Sequence, residues 1–225
     1  MTLRLLSAGA AHAIVHTVAR AAGLEVEGSF GAVGAILERF DAGEACDVVI
    51  LTRKQVDQLA AQGRVVPDTV ADLGTVATAI GVRSGQPAPD VSGEDALRDA
   101  LLAADAIYLP DPVRATAGIH FMKVVEALGI RAAVEPRLRI FPNGATAMRE
   151  MAASRGRAVG CTQATEILAT PGMQLVASLP RGFDLDTVYT AAANAKAPNP
   201  KAAATFVARL TGPATQSDRS AAGFR

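Results

Sequence analysis

The stretch Asp111-Pro112-Val113-Arg114-Ala115-Thr116-Ala117-Gly118-Ile119-His120 decides how the chain is read. Ahead of it, Asp105-Ala106-Ile107-Tyr108-Leu109 is short, apolar and closed by Pro110, the pattern of a buried strand. Behind it, Phe121–Leu128 reads as a helix stopped by Gly129. The stretch is therefore a strand-to-helix loop, with Thr116, Ala117 and Gly118 at the helix N-terminus. Free backbone N–H groups and the positive end of the helix dipole meet at such a place and favour an anion. Gly118 lets a ligand approach the backbone, and Arg114 adds a planar fork of donors that suits a carboxylate or oxyanion. A single loop of this kind is an ordinary connection with a surface arginine; its weight comes from recurrence.

Similar units stand elsewhere in the chain. Leu3–Leu6 reads as a strand, followed by the small-residue loop Ser7–His12 and a helix through Val15 and Val18 to Gly23. Leu24–Glu27 alternates like a strand and leads into a second small-residue loop, Gly28–Gly34, and the helix Ala35–Ala42. Asp47–Leu51 is β-branched throughout its centre, as a strand buried on both faces requires, and ends in Thr52-Arg53-Lys54 before the helix Gln55–Gln62. This β-α alternation predicts a parallel sheet covered by helices, whose ligands bind at the C-terminal strand ends. Further on, Val76–Val82 reads as a strand, and Ser84–Pro89 as a loop suited to a passage between domains. Pro142–Thr146 opens the helix Ala147–Ala153, and Ala158–Cys161 is a strand ending in the loop Thr162–Thr165. Val176–Leu179 and Thr187–Ala193 read as strands, and Ala202–Leu210 as a helix.

Composition excludes several classes. Half of the 225 residues are hydrophobic, so a full core is expected. Lys+Arg and Asp+Glu balance at 22 each, and no basic cluster or aromatic platform for nucleic acid is visible. No run of about 18 apolar residues suggests a membrane span. Met1–Ser7 enters the first strand directly without the pattern of a signal peptide, so a cytoplasmic location is expected, or a periplasmic one if a leader has been removed. Cys46 and Cys161 each abut an apolar run and read as free buried thiols.

Motifs for other chemistries are missing. His12 and His16 share an i, i+4 spacing but lack the further ligands a metal needs, so no metal is expected. No nucleophile–base pair stands out, Gly28-x-x-Gly31-x-x-Gly34 lacks the start of a dinucleotide fingerprint, and no Gly-Lys-Ser/Thr phosphate loop occurs.

Four segments carry a resemblance to a known family. They are Gly28-Ser29-Phe30 with the small residues after it, Ala42–Ile50, Asp111–Ile119, and Leu210–Ala214 leading to Gly223-Phe224. They resemble type II periplasmic binding proteins, most of all the molybdate-binding proteins. The resemblance implies an α/β fold of two Rossmann-like lobes joined by two crossing strands, with an anion clamped between them. Residues 1–80 and 190–225 would form lobe 1, residues 81–189 lobe 2, with crossings near Ala79–Arg83 and Val188–Ala192. The ligand positions match at backbone Ala117 and Ala145. The hydroxyl donors of the molybdate binders are replaced by Ala10, Val33 and Gln163. Each lost contact would cost a tetrahedral oxyanion about 1–3 kcal/mol.

Thr52, Arg53, Arg114, Thr116, Gly118, Asn143, Thr162 and Gln163 would instead suit a larger organic acid, a di- or tricarboxylate, bound without a cofactor. A permease partner is not expected without a signal peptide. The sequence also resembles aconitate isomerases, which implies a cofactor-independent proton transfer as an alternative, with His12 and His120 as candidate catalytic bases and Arg53 and Arg114 in the anion cradle. A molybdate-binding transport component is the remaining alternative.

Overall fold

The computed structural model describes residues 2–225. The chain forms two compact units, one running up to Val76 and again from Thr187 to Arg225, the other Ala77–Asp186.

In the first unit the apolar strands and the helices between them alternate: β1 (Thr2–Ala8), α1 (His12–Ala21), β2 (Glu25–Gly31), α2 (Val33–Asp41), β3 (Val48–Thr52), α3 (Arg53–Ala61) and the start of β4 (Ala71–Arg83). β1 pairs in parallel with β2, Ala8 opposite Gly31, and with β3, Ser7 opposite Ile50. The three C-terminal strand ends therefore lie side by side. Val48, Val49, Ile50 and Leu51 are fully buried, as their β-branched run requires. Ile14, Val15 and Val18 of α1 and Ile36 and Phe40 of α2 supply the helical side of this core.

The second unit continues with α4 (Glu94–Ala103), β5 (Ala106–Pro110), α5 (Thr116–Ala127), α6 (Arg131–Val134), β6 (Leu138–Phe141), α7 (Gly144–Ala152), β7 (Ala158–Gln163), α8 (Ala164–Leu168) and β8 (Met173–Ser178). β5 pairs in parallel with β6, Pro110 opposite Phe141, and with β7, Tyr108 opposite Gly160. β4 runs antiparallel to β7 and β8. Leu97, Leu101, Ile107, Leu109, Phe121 and Val125 are wholly buried in its core. α7 packs closely on β7 because Gly160 has no side chain; a Cβ there would lie 2.5 Å from the Met148 methyl.

The chain returns to the first unit in β9 (Asp186–Ala193), antiparallel to β3, and ends in α9 (Pro200–Thr211) and α10 (Gln216–Ala221). It is thus an α/β protein of two Rossmann-like units joined by two strands, β4 and the start of β9.

Several local expectations change. Gly28–Gly31 belong to β2 rather than to a loop, because pairing with β1 satisfies their backbone as far as Gly31. α2 accordingly begins at Val33, and Arg53 opens α3. Thr162 and Gln163 are still strand, held opposite Ala79 and Thr78 of β4. Ser84–Pro89 follow after the chain has entered the second unit, so the passage is made by β4 and not by this loop. Both cysteines are free and buried, as expected.

The chain end is tied to β4: Thr75 and Arg225 exchange backbone hydrogen bonds of 2.8 and 2.9 Å, and Phe224, 3% exposed, packs edge-on against Tyr189. Phe224→Ala should lower stability by about 3 kcal/mol, read as a shift in the urea unfolding midpoint.

Candidate functional site

The anion loop of the second unit is shaped by Asp111. Its Oδ1 accepts from the backbone N–H of Val113 at 2.7 Å and of Arg114 at 3.0 Å, and its carbonyl accepts from Ala115 N–H at 3.0 Å. This turn delivers Thr116, Ala117 and Gly118 to the first turn of α5, where no side chain caps the helix. Gly118 is essential to the approach: a Cβ would lie 2.4 Å from the carbonyl oxygens of both Pro110 and Asp111. The Arg114 side chain is exposed beside this turn.

At the same strand ends stands α7, and its N-terminus is closed. Asn143 Oδ1 accepts from Thr146 N–H at 2.8 Å. The Thr162 hydroxyl donates to Glu166 Oε2 at 2.5 Å. This oxygen lies against the first residue of α7, 2.0 Å from where a Cβ on Gly144 would stand, and the backbone of Gln163 and Ala145 favours the charged carboxylate. Glu166 is only 7% exposed, and burial raises its pKa above the ordinary carboxyl value against the pull of these hydrogen bonds. The backbone of Ala145, matched to a ligand position by resemblance, thus has the Glu166 carboxyl beside it.

Gln163 differs from its neighbours. Its side chain is 3% exposed, yet neither its Oε1 nor its Nε2 has a hydrogen-bond partner, and the hydroxyls of Thr78 and Thr165 are equally buried and unpaired. Buried amides without partners are rare and mark places where a ligand or water completes the set. His120, half-buried on α5, donates from Nε2 to the Phe183 carbonyl at 2.7 Å. A carbonyl can only accept, so the neutral ring carries its lone pair on Nδ1.

The first unit gathers Ala10, His12, Val33, Thr52 and Arg53 at its own strand ends. Ala10 and Val33 are buried, and α1 and α2 have no side-chain cap. His12 packs edge-on against Phe30 with ring centroids 4.6 Å apart and lies 4.6 Å from His16. Desolvation, and then the neighbouring His16, lower the His12 pKa from 6.5. Thr52 is engaged, donating from its N–H at 3.2 Å and its hydroxyl at 2.7 Å to Gln55 Oε1. Arg53 is held by Asp57 at 2.9 Å and Asp72 at 3.2 Å, and Asp72 accepts in turn from the Thr190 hydroxyl at 2.6 Å. Two carboxylates offset the positive charge expected of Arg53 as part of a cradle.

The residue that sequence reasoning missed is Glu166. A signal was present: Gln163-Ala164-Thr165-Glu166 places an acid three residues after a strand end, where it reaches back to the N-cap N–H as half of a capping box. Among the described residues no cluster of His, Cys, Asp and Glu could hold a metal, and no helix is long and apolar enough to cross a membrane.

The sequence profile of the family described as bacterial extracellular solute-binding protein matches residues 3–225. Among known proteins, an aconitate isomerase of a Pseudomonas species is 29% identical over 170 residues, which take in 75% of this chain and 63% of that protein. The chain therefore spans less than two thirds of that relative's length. Among solved structures, the periplasmic molybdate-binding protein of Azotobacter vinelandii has a TM-score of 0.78 at 18% identity, covering 99% of this chain and 98% of its own. The sulfate-binding protein SubI of Mycobacterium tuberculosis has a TM-score of 0.74 at 19% identity, covering 100% and 86%. Both likenesses are of fold.

Two outcomes follow from the geometry. A carboxyl with a raised folded pKa keeps its proton after the unfolded chain has released it. The contribution of Glu166 to stability is then full below the ordinary value of 4.5 and is lost as pH rises through the folded value. Glu166→Gln should flatten that part of the stability–pH curve, measured by urea unfolding from pH 4.5 upward. Gly118→Ala should cost about 1–3 kcal/mol in the same assay, because backbone oxygens rather than flexible side chains surround the new methyl.

Proposed function

The chain belongs to the bacterial extracellular solute-binding protein family, and on that premise we propose that it binds a small organic anion, a di- or tricarboxylate, with one carboxylate on the first-turn amides of α5. The observation that carries the reading is the contrast at the strand ends of the second unit: Thr116–Gly118 are uncapped, whereas the amides of α7 are filled from within. A carboxylate receiving those N–H groups gains charge-assisted hydrogen bonds and the helix dipole together. The unpaired Gln163 amide offers one donor face and one acceptor face to a second polar group of the ligand. The buried, apolar Ala10 and Val33 offer no side-chain donor to a tetrahedral oxyanion.

Calorimetry with citrate, aconitate, molybdate, tungstate and sulfate tests the reading. Citrate or aconitate should bind, and Gly118→Ala should weaken that binding at least about tenfold, through displacement of the first-turn donors. Sub-micromolar molybdate binding without carboxylate binding would point to an oxyanion carrier instead.

A second reading is supported by the similarity to an aconitate isomerase and by the geometry of His120. In it, His120 Nδ1 takes a proton from a C–H next to a carboxylate. The electron pair shifts into the conjugated carboxylate, whose charge the α5 amides stabilise, and the proton returns at the other end of the double bond. No cofactor enters this step. His12, kept neutral by its surroundings, is the alternative base. Proton-exchange NMR of cis- and trans-aconitate in D₂O decides. Deuterium uptake should be lost in His120→Gln or His12→Gln and kept in His16→Gln; no uptake by the unaltered chain leaves binding alone.

A further inference from the structure

The donors at the start of α7 are consumed by the protein itself. The Glu166 carboxyl sits against the first turn of α7, where the Thr162 hydroxyl donates to it at 2.5 Å and the Ala145 and Gln163 backbone favours its charge, and Thr146 N–H goes to Asn143. Gly144 makes the room: a Cβ there would lie 2.0 Å from Glu166 Oε2 and 2.0 Å from Thr162 Oγ1. Capping α8 through Gln163 N–H would need nothing from α7. The carboxyl nevertheless reaches a second helix, one turn of which lacks a side chain where the carboxyl enters.

We propose that Glu166 is a specificity-determining residue, the built-in occupant of the α7 N-terminus, which leaves α5 as the helix end of this unit that receives a ligand's carboxylate. The proposal rests on the reading of α5 as an anion site. A compact tetrahedral oxyanion gains by collecting donors on several sides at once. Here it meets a carboxyl oxygen in place of the Ala145 N–H. An elongated organic acid needs the amides of α5 for one carboxylate and loses nothing at α7. The elements packed on α8 are α7, β7, β8 and, through Gly81 against Ile167, β4. Their ionisable side chains are Arg149 and Glu150, both exposed, the buried Cys161 thiol, and Asp72 and Arg83 of β4. Arg83 is held by the Ser154 and Gly156 carbonyls and Asp72 by Arg53, and among the described residues no ion pair to Glu166 is formed.

The test is Glu166→Ala in the full chain, followed by thermal unfolding in sodium formate against sodium chloride of equal ionic strength. Formate should raise the unfolding temperature of the variant and leave the unaltered protein unchanged. Sulfate and molybdate should bind the variant at least about tenfold more tightly, one charge-assisted contact having been regained. An equal response of both proteins to formate, or unchanged oxyanion affinity, overturns the proposal. Should the variant fail to fold, amide NMR of the unaltered chain decides. On titration with citrate the Thr116–Gly118 N–H signals should move and that of Ala145 should not; Ala145 moving with them overturns the proposal. Formate rescue of the variant with no citrate response in the unaltered chain would refute the α5 reading while upholding the occupancy of α7.

Discussion

The first-turn N–H groups of a helix have no partner inside the helix, and what fills them orders this molecule. α3 is closed by Thr52 and Gln55, and α7 by Asn143 and Glu166. α1, α2 and α5 carry alanine at the N-cap and no side-chain cap. All five stand at C-terminal ends of strands that run in parallel within their unit. Alanine is a poor N-cap, so leaving a helix open in this way sacrifices about 1 kcal/mol of local stability. α1 continues the 3-10 turn Gly9–Ala11, whose Gly9 carbonyl receives the His12 N–H, so the open ends are those of α2 and α5, a cost that an external partner can recover.

The open and closed ends depend on how closely the helices are pressed to the sheets, and that is set by glycine. Gly118 lets the start of α5 touch the carbonyls that end β5, and Gly160 lets α7 settle on β7. Gly144 then admits the Glu166 carboxyl into the space between. Gly81 does the same for α8, where a Cβ would lie 2.9 Å from Ile167. Cradle and plug alike depend on missing side chains: the first is made of backbone amides, the second of the Glu166 carboxyl that Gly144 admits.

Much of this was legible in the order of residues. The apolar strands, the helices stopped by glycine and the loop from Asp111 to Gly118 are local patterns, and local patterns survive folding. The end of β2 was not legible, because Gly28–Gly31 have loop-like composition and become strand through pairing with β1, a contact across 23 residues. Arg53 looked like a free cation for the same reason: Asp57 is visible on its own helix, but Asp72 comes from β4. Glu166 was hidden more deeply. Its partners Ala145, Thr162 and Gln163 come from α7 and β7, and only the tertiary contact between them turns a capping glutamate into the occupant of another helix.

Binding and proton transfer make the same first demand on such a site. Amides aimed at a carboxylate stabilise it at rest, and they stabilise it more when a neighbouring C–H is deprotonated and charge flows onto its oxygens. What separates a binder from an isomerase is then a lone pair within reach of that C–H. The Phe183 carbonyl commits His120 Nε2 as a donor and so places the neutral ring's lone pair on Nδ1, two residues beyond the glycine that lets α5 approach β5. On the isomerase reading one imidazole has to be held in one tautomer, and a single backbone carbonyl is enough to do that.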